Sequence, residues 1–179
     1  MTGRDTSRND DAEFKRQLTA IIPSLRAFAR GLCRHRELAD DIAQASLLRA
    51  WAARDSFTPG TNFRAWMFMI VRNHFYTTVR KNARSVSWDP AAAERLLTEQ
   101  PSQEFGLHLQ DVERALAMLP PQQREMILLV AAAGLSYEDA AMVAGCSLGT
   151  VKSRVGRARA ALQKIVTEGN SPPSSDTAD

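Results

Sequence analysis

The chain has 179 residues, room for one large domain or two small ones, and carries 23 Lys and Arg against 20 Asp and Glu, a net charge of +3. No run of about 18 apolar residues occurs and no signal-peptide pattern opens the chain, so neither a membrane span nor export is expected, and a cytoplasmic location follows. Its two cysteines, Cys33 and Cys146, stand apart without a CxxC or Cys/His cluster; they read as small buried thiols in a reducing compartment, not as metal ligands.

Residues 1–10 are polar, and disorder is expected there. Phe14, Leu18, Ile21, Leu25, Phe28 and Leu32 then recur at steps of three and four, the signature of one amphipathic helix face. Pro23 interrupts the pattern and should kink or divide that helix. Residues 37–53 form a second helix with two faces. Leu38, Ile42, Ala45 and Ala52 make a stripe suited to a core, while Asp40, Gln44, Leu47 and Trp51 share another side with Asp41 beside them. That second side either packs its leucine and tryptophan on a third helix or offers a partner an apolar anchor with a polar rim.

Residues 54–62 are a loop punctuated by Pro59-Gly60. The helix that follows, 63–81, interleaves rings with cations and amides: Trp66, Arg72, Asn73, Arg80 and Lys81 among them. Core packing needs several of these rings, yet rings beside backbone-binding cations are also what single-stranded nucleic acid uses. Both readings stand on residue type.

Residues 85–106 have weak periodicity, with Pro90 and Pro101, and read as a linker. Charge is arranged in blocks along the chain: five Lys and Arg without an acid over 56–88, six acids against one Arg over 89–113, then five Lys and Arg without an acid over 148–164. Two anion-binding modules around a repelling connector would be built this way. Leu109, Val112, Leu116 and Leu119 mark a new helix, stopped by Pro120-Pro121, and Pro121 suits the first position of the next one, 122–133.

The stretch from 135 to 162 reads as helix, tight turn, helix. Ser136 with Asp139 forms a capping box, Gly145 supplies the positive φ of the corner, and Ser147 caps the second helix. Leu148, Val151, Val155, Ala158 and Leu162 form the buried stripe of that helix. Its opposite face carries Gly149, Ser153, Gly156 and Ala160, with Thr150, Lys152, Arg154 and Arg157 on the shoulders. Small residues let such a face sit deep in a DNA groove, and the cations at its edges reach phosphates or guanine.

The expected fold is therefore all-α: an N-terminal helical bundle (11–84) and a C-terminal four-helix module with the helix-turn-helix (107–166), joined by the acidic linker 85–106 and flanked by disordered tails at 1–10 and 167–179. No nucleophile–base pair, phosphate loop or metal-ligand spacing stands out, so neither an enzyme nor a cofactor is expected.

The stretches ELADDIAQASLLRAW, NFRAWMFMIVRNHF, LPPQQREMILLVAAAGLSYEDAA and GTVKSRVGRAR, in that order, resemble bacterial sigma factors of the extracytoplasmic-function type. The stretch TPGTNFRAWMFMIVRNHFY is similar to the general-stress-response (EcfG-type) subgroup. The resemblance implies a protein that binds core RNA polymerase, recognises minus-thirty-five and minus-ten promoter elements and initiates transcription of stress genes. It places polymerase contacts at Asp40, Asp41, Gln44, Leu47 and Trp51. Minus-ten contacts fall at Phe57, Thr61, Asn62, Trp66, Arg72, Asn73, Arg80 and Lys81, and minus-thirty-five contacts at Gly149, Thr150, Lys152, Ser153, Arg154, Gly156 and Arg157. It further implies inhibition by a NepR-type anti-sigma factor, relieved by a PhyR-type response regulator. Two competing readings are a sigma-like decoy that sequesters an anti-sigma factor and a plain helix-turn-helix regulator. Both DNA-facing basic blocks, which a decoy need not keep, favour the sigma factor.

Overall fold

The computed structural model describes residues 3–33, 35–86 and 107–169, and these form seven α-helices and a short 3-10 turn. The N-terminal module holds α1 (Gly3–Leu32), α2 (Arg36–Ala52), the turn Arg54–Ser56 and α3 (Phe63–Val86). The C-terminal module holds α4 (Leu107–Met118), α5 (Pro121–Ala131), α6 (Tyr137–Ala144) and α7 (Leu148–Gly169). No described helix is long and apolar enough to cross a membrane.

Of the two outcomes expected at Pro23, a kink or a division, the division does not occur: α1 runs through it as one helix. Proline removes one hydrogen bond and crowds the preceding turn, but Pro23 lies exposed while Ile21, Leu25 and Phe28 are buried on either side of it. Packing of both flanks holds the helix continuous. The same helix takes in residues 3–10, expected to be a disordered arm. Once a docked segment has nucleated a helix, each added residue gains one hydrogen bond for the dihedrals it fixes, so a polar extension is cheap. Likewise α7 reaches Gly169, into the stretch expected as tail. The linker at 87–106 lies outside the described residues.

In the N-terminal module Phe28 meets Phe68 edge-to-face at 5.1 Å, both fully buried. Helix α2 buries Ala39, Ile42, Ala43, Ser46 and Ala50, whereas Ala52 of the expected stripe is exposed. The small residues of the actual face let α2 approach α1 and α3 closely, and the buried stripe sits one position over from the aliphatic one.

In the C-terminal module Ser136 caps α6, its Oγ accepting from the Asp139 N–H at 3.0 Å, and Gly145 closes that helix at φ 65°. The Ser147 Oγ accepts from the Thr150 N–H at 3.2 Å to open α7. Arg124, only 7% exposed, donates to the carbonyls of Leu116, Ala117 and Leu119 at 2.8–3.0 Å. It satisfies acceptors that the end of α4 leaves without intrahelical partners.

The two modules share one continuous core. Helix α5 lies between α1 on one side and α7 on the other, and α6 packs on α3. Gly31 of α1 faces Leu128 of α5 so closely that a Cβ there would stand 2.7 Å from Leu128 Cδ1. This is a direct seam between the modules.

Burial pushes the Cys33 thiol up to about 12, while Cys146 is half-buried. Alkylation of the native chain at about pH 8, where only thiolates react, should therefore label Cys146 and spare Cys33 until the protein unfolds. Mass spectrometry after limited iodoacetamide treatment reads this directly; equal labelling of both would contradict the placement of Cys33.

Candidate nucleic-acid and polymerase interfaces

Helix α7 presents its two faces as the wheel divides them. Val151, Val155 and Ala158 are buried with Leu148 and Leu162 half-buried, while Gly149, Lys152, Ser153, Gly156, Arg157 and Ala160 are exposed. A Cβ on Gly156 would meet nothing within 4 Å, so this part of the helix is a shallow, open surface. The Arg157 Nη2 donates to the Ser153 Oγ at 3.4 Å, and the Ser153 hydroxyl donates to the Thr150 carbonyl at 3.2 Å. Arg154 stands apart from this group. It is half-buried and donates to the Gln122 side chain of α5 at 2.6 Å, which turns it toward the body of the protein.

On α2 the exposed face is made by Asp41, Gln44, Leu48 and Trp51, residues that fall within about a quarter-turn of one another at 100° per residue. Leu48 is 67% exposed and was not singled out from the sequence; Leu47 was, and it packs half-buried on the core. The reason is register: Leu47 stands four after Ala43 and three before Ala50, both buried. The spacing from Gln44 to Leu48 was the available signal. Asp40 lies 3.6 Å from Arg30 and is half-buried, at the margin of this face.

The loop after α2 is anchored by a cluster of five rings. Phe14 of α1 lies 5.3 Å from Phe63 and 6.0–6.2 Å from Trp51, Phe57 and Trp66, and Phe57 lies 5.3 Å from Trp66. Arg54 stacks over Trp51 at 5.1 Å and pairs with Asp11 at 3.2 Å. Phe57, Trp66 and Trp51, assigned by sequence to two different surfaces, thus belong to one packed group, and Phe14 is its buried centre. Thr61 is exposed and donates to the Thr58 carbonyl at 2.7 Å within the loop.

Helix α3 divides along its length. Asn73, Arg80 and Lys81 are exposed. Asn62 caps the helix, accepting from the Ala65 N–H at 3.1 Å, and donates across to Asp139 of α6 at 2.7 Å. Arg64 reaches the Ala133 carbonyl and the Ser24 hydroxyl. The Arg72 Nε donates to Glu125 Oε1 at 2.5 Å, and the Tyr76 hydroxyl donates to Glu125 Oε2 at 2.9 Å. Glu125 is 3% exposed. Burial of Tyr76 itself, and then the charge of the Glu125 carboxylate, push the Tyr76 hydroxyl up to about 12. Asn62 and Arg72 are therefore held by the C-terminal module. Arg64 and Tyr76 stand among the interleaved cations and rings of the sequence, but their contacts with the C-terminal module, and the role of Glu125, are not legible there because the partners lie 49 to 69 positions away.

Residues 18–85 match the Sigma-70 region 2 family and residues 109–162 match Sigma-70 region 4, which defines the class of each module. The ECF RNA polymerase sigma factor EcfG of Rhodopseudomonas palustris is 46% identical over 149 residues, 83% of this chain and 82% of that protein. The sigma factor RpoE of Bartonella quintana, solved in complex with the anti-sigma factor NepR, superposes with a TM-score of 0.75 at 44% identity, over 87% of this chain and 97% of that one. A PhyR–NepR complex from Sphingomonas sp. Fr1 gives 0.59 at 25% identity, over 92% and 96%. The chain belongs to the extracytoplasmic-function family of RNA polymerase sigma factors.

His74 of α3 contacts Arg49 of α2 through Nδ1. Desolvation, and then the charge of Arg49, hold its pKa below the ordinary 6.5. Between the lowered value and 6.5 the unfolded chain binds more protons than the folded one, so this residue's contribution is complete above 6.5 and is lost as pH falls. An NMR titration should place His74 below 6.5, and Arg49→Gln should return it part of the way; a value above 6.5 would contradict the contact.

Proposed function

We propose that this chain binds core RNA polymerase through the Asp41–Gln44–Leu48–Trp51 face of α2, captures the opened minus-ten strand with the 54–62 loop and α3, and reads the duplex minus-thirty-five element with α7. The observation that carries the reading is the exposed, small-residue face of α7, flanked by Lys152 and Arg157, on a chain of this family. Side chains no larger than serine at Gly149, Ser153, Gly156 and Ala160 leave room for base edges. Each good base contact in a major groove is worth roughly 1–3 kcal/mol of discrimination. Thr61, Asn73, Arg80 and Lys81 are minus-ten candidates exposed in the described arrangement, and the Asn62 amide and Arg72, held by Asp139 and Glu125, join them when the modules separate. Phe57 and Trp66 act through the ring cluster that shapes the loop. The role is one of recognition and assembly rather than catalysis, carried out in the cytoplasm.

The similarity to RpoE solved with NepR supports control by a NepR-type anti-sigma factor, released by a PhyR-type response regulator, and a set of target genes serving the general stress response. A decoy role is less well supported. The likeness to the PhyR–NepR complex is weaker in both sequence and superposition, and both DNA-facing cationic sets are kept.

Run-off transcription with purified core polymerase on a promoter panel tests the reading: start sites absent with core alone should appear with this protein, and their absence would overturn it in favour of the decoy. Gly156→Leu should abolish preference for the minus-thirty-five element while preference at minus-ten survives, because bulk there holds the helix off the bases. Full retention of minus-thirty-five discrimination would put the DNA-facing side elsewhere. Asp41→Ala with Gln44→Ala should weaken core polymerase binding at least about tenfold, as loss of about 1.4 kcal/mol does, with the melting temperature unchanged. Unchanged polymerase affinity would contradict this docking face.

A further inference from the structure

Helix α3 carries Arg72, Tyr76 and Arg80 at steps of four, hence on one stripe. The lower end of the stripe is covered by α5 and the upper end, at Arg80, is open. At the covered end two donors converge on one carboxylate, each taking a separate oxygen: Arg72 at 2.5 Å and Tyr76 at 2.9 Å. The guanidinium is held in place by stacking 4.9 Å above the Tyr76 ring. A guanidinium fixed beside a second donor suits any planar or tetrahedral oxyanion, and phosphate as readily as carboxylate. Near the other end of the contact Asn62 makes the same kind of pairing with the carboxylate of Asp139. Two of the residues assigned to the minus-ten strand thus have their polar ends on acids of the C-terminal module.

We propose that Arg72 and Tyr76 form a binding site for a backbone phosphate of the promoter single strand, and that Glu125 fills this site when the modules are closed on each other. The proposal rests on the strand-capturing role of α3 given above and adds to it a site and an internal competitor. Arg80 and Asn73, exposed on the same helix, meet a strand first. Displacing Glu125 then exposes the phosphate site and releases α5 from α3. An anion that leaves a paired, buried position needs its place taken, because an unpaired buried charge is strongly unfavourable. The exchange of one oxyanion for another meets that requirement on the arginine side, and Glu125 gains water as α5 withdraws.

The experiment is binding of a fluorescein-labelled single strand of about 12 nucleotides, near the footprint of one single-strand module, to the full chain without polymerase, across a salt series. Glu125→Gln keeps the shape and removes the charge. It should bind at least about tenfold more tightly than wild type, the gain expected if closure leaves about one chain in ten competent. Adding Arg72→Gln should cancel that gain and reduce the log–log salt slope by about 0.7, one phosphate contact on a single strand. Gly31→Ala, which forces a Cβ against Leu128, about one helical turn along α5 from Glu125, leaves the anion-site residues themselves unchanged; it should raise affinity in the same direction and decides the matter if Glu125→Gln does not fold. The proposal is overturned if the folded Glu125→Gln chain binds no more tightly than wild type, or if its gain survives Arg72→Gln. Failure of the underlying sigma reading would look different: wild type would then start no transcript with core polymerase, whatever the strand-binding result.

Discussion

The middle of helix α5 has no face for water. From Arg124 to Leu129 every residue is buried, including one arginine and one glutamate. A helix buried all round is stable only with neighbours on all sides, and the three other helices of its module do not surround it alone. Helix α7 covers one side, and the N-terminal module, through Leu128 against Gly31 and Glu125 against Arg72 and Tyr76, covers the other. The two buried charged residues on α5 are accommodated by different means: Arg124 closes the carbonyl end of α4 within its own module, whereas the partners of Glu125 belong to the other one.

This constraint has unequal effects on the surfaces proposed to meet DNA. The small-residue face of α7 stays open in the closed arrangement, as does the Asp41–Leu48 face of α2. Part of α3 does not, since the side chains of Asn62, Arg64 and Arg72 are engaged across the seam, although Asn73 remains exposed. On the proposed reading the closed chain can approach polymerase and the minus-thirty-five duplex while Arg72 and the Asn62 amide, two of its strand-capturing groups, are engaged across the seam. Separation of the modules would then expose the underside of α5, so a partner that covers that apolar surface would favour one arrangement over the other by its differential contacts.

The local elements were legible in the sequence because their signals are local. Ser136, Gly145 and Ser147 set the corner of the helix-turn-helix, and a step of three or four residues separated the buried stripe of α7 from its open face. What escaped was long-range. Glu125 reads as one more polar residue on a helix until Arg72 is brought to it from 53 positions away. Arg154 looked like part of the open face, and only the position of Gln122 turns it inward. On α2 the choice between Leu47 and Leu48 depended on which alanines face α1 and α3, a tertiary fact that periodicity leaves open by one residue. Pro23 was read as a kink or a break because the local cost of proline is visible in sequence and the packing that offsets it is not. One signal for the seam was present all the same: the segment Met126, Ile127, Leu128, Leu129, Val130 has no polar face, which already requires a cover from outside its own module.

The central claim is that the free chain is closed through α5 and opens when it takes up its role on polymerase. It is tested most directly by the distance between paired spin labels at Ala20→Cys on α1 and Ala131→Cys on α5, both exposed positions, in a chain carrying Cys33→Ala and Cys146→Ser. Pulsed dipolar spectroscopy on the free protein should give one narrow distribution, moved to longer distance when core polymerase is added. A free chain whose distribution is broad and the same as that of the polymerase-bound chain would contradict it.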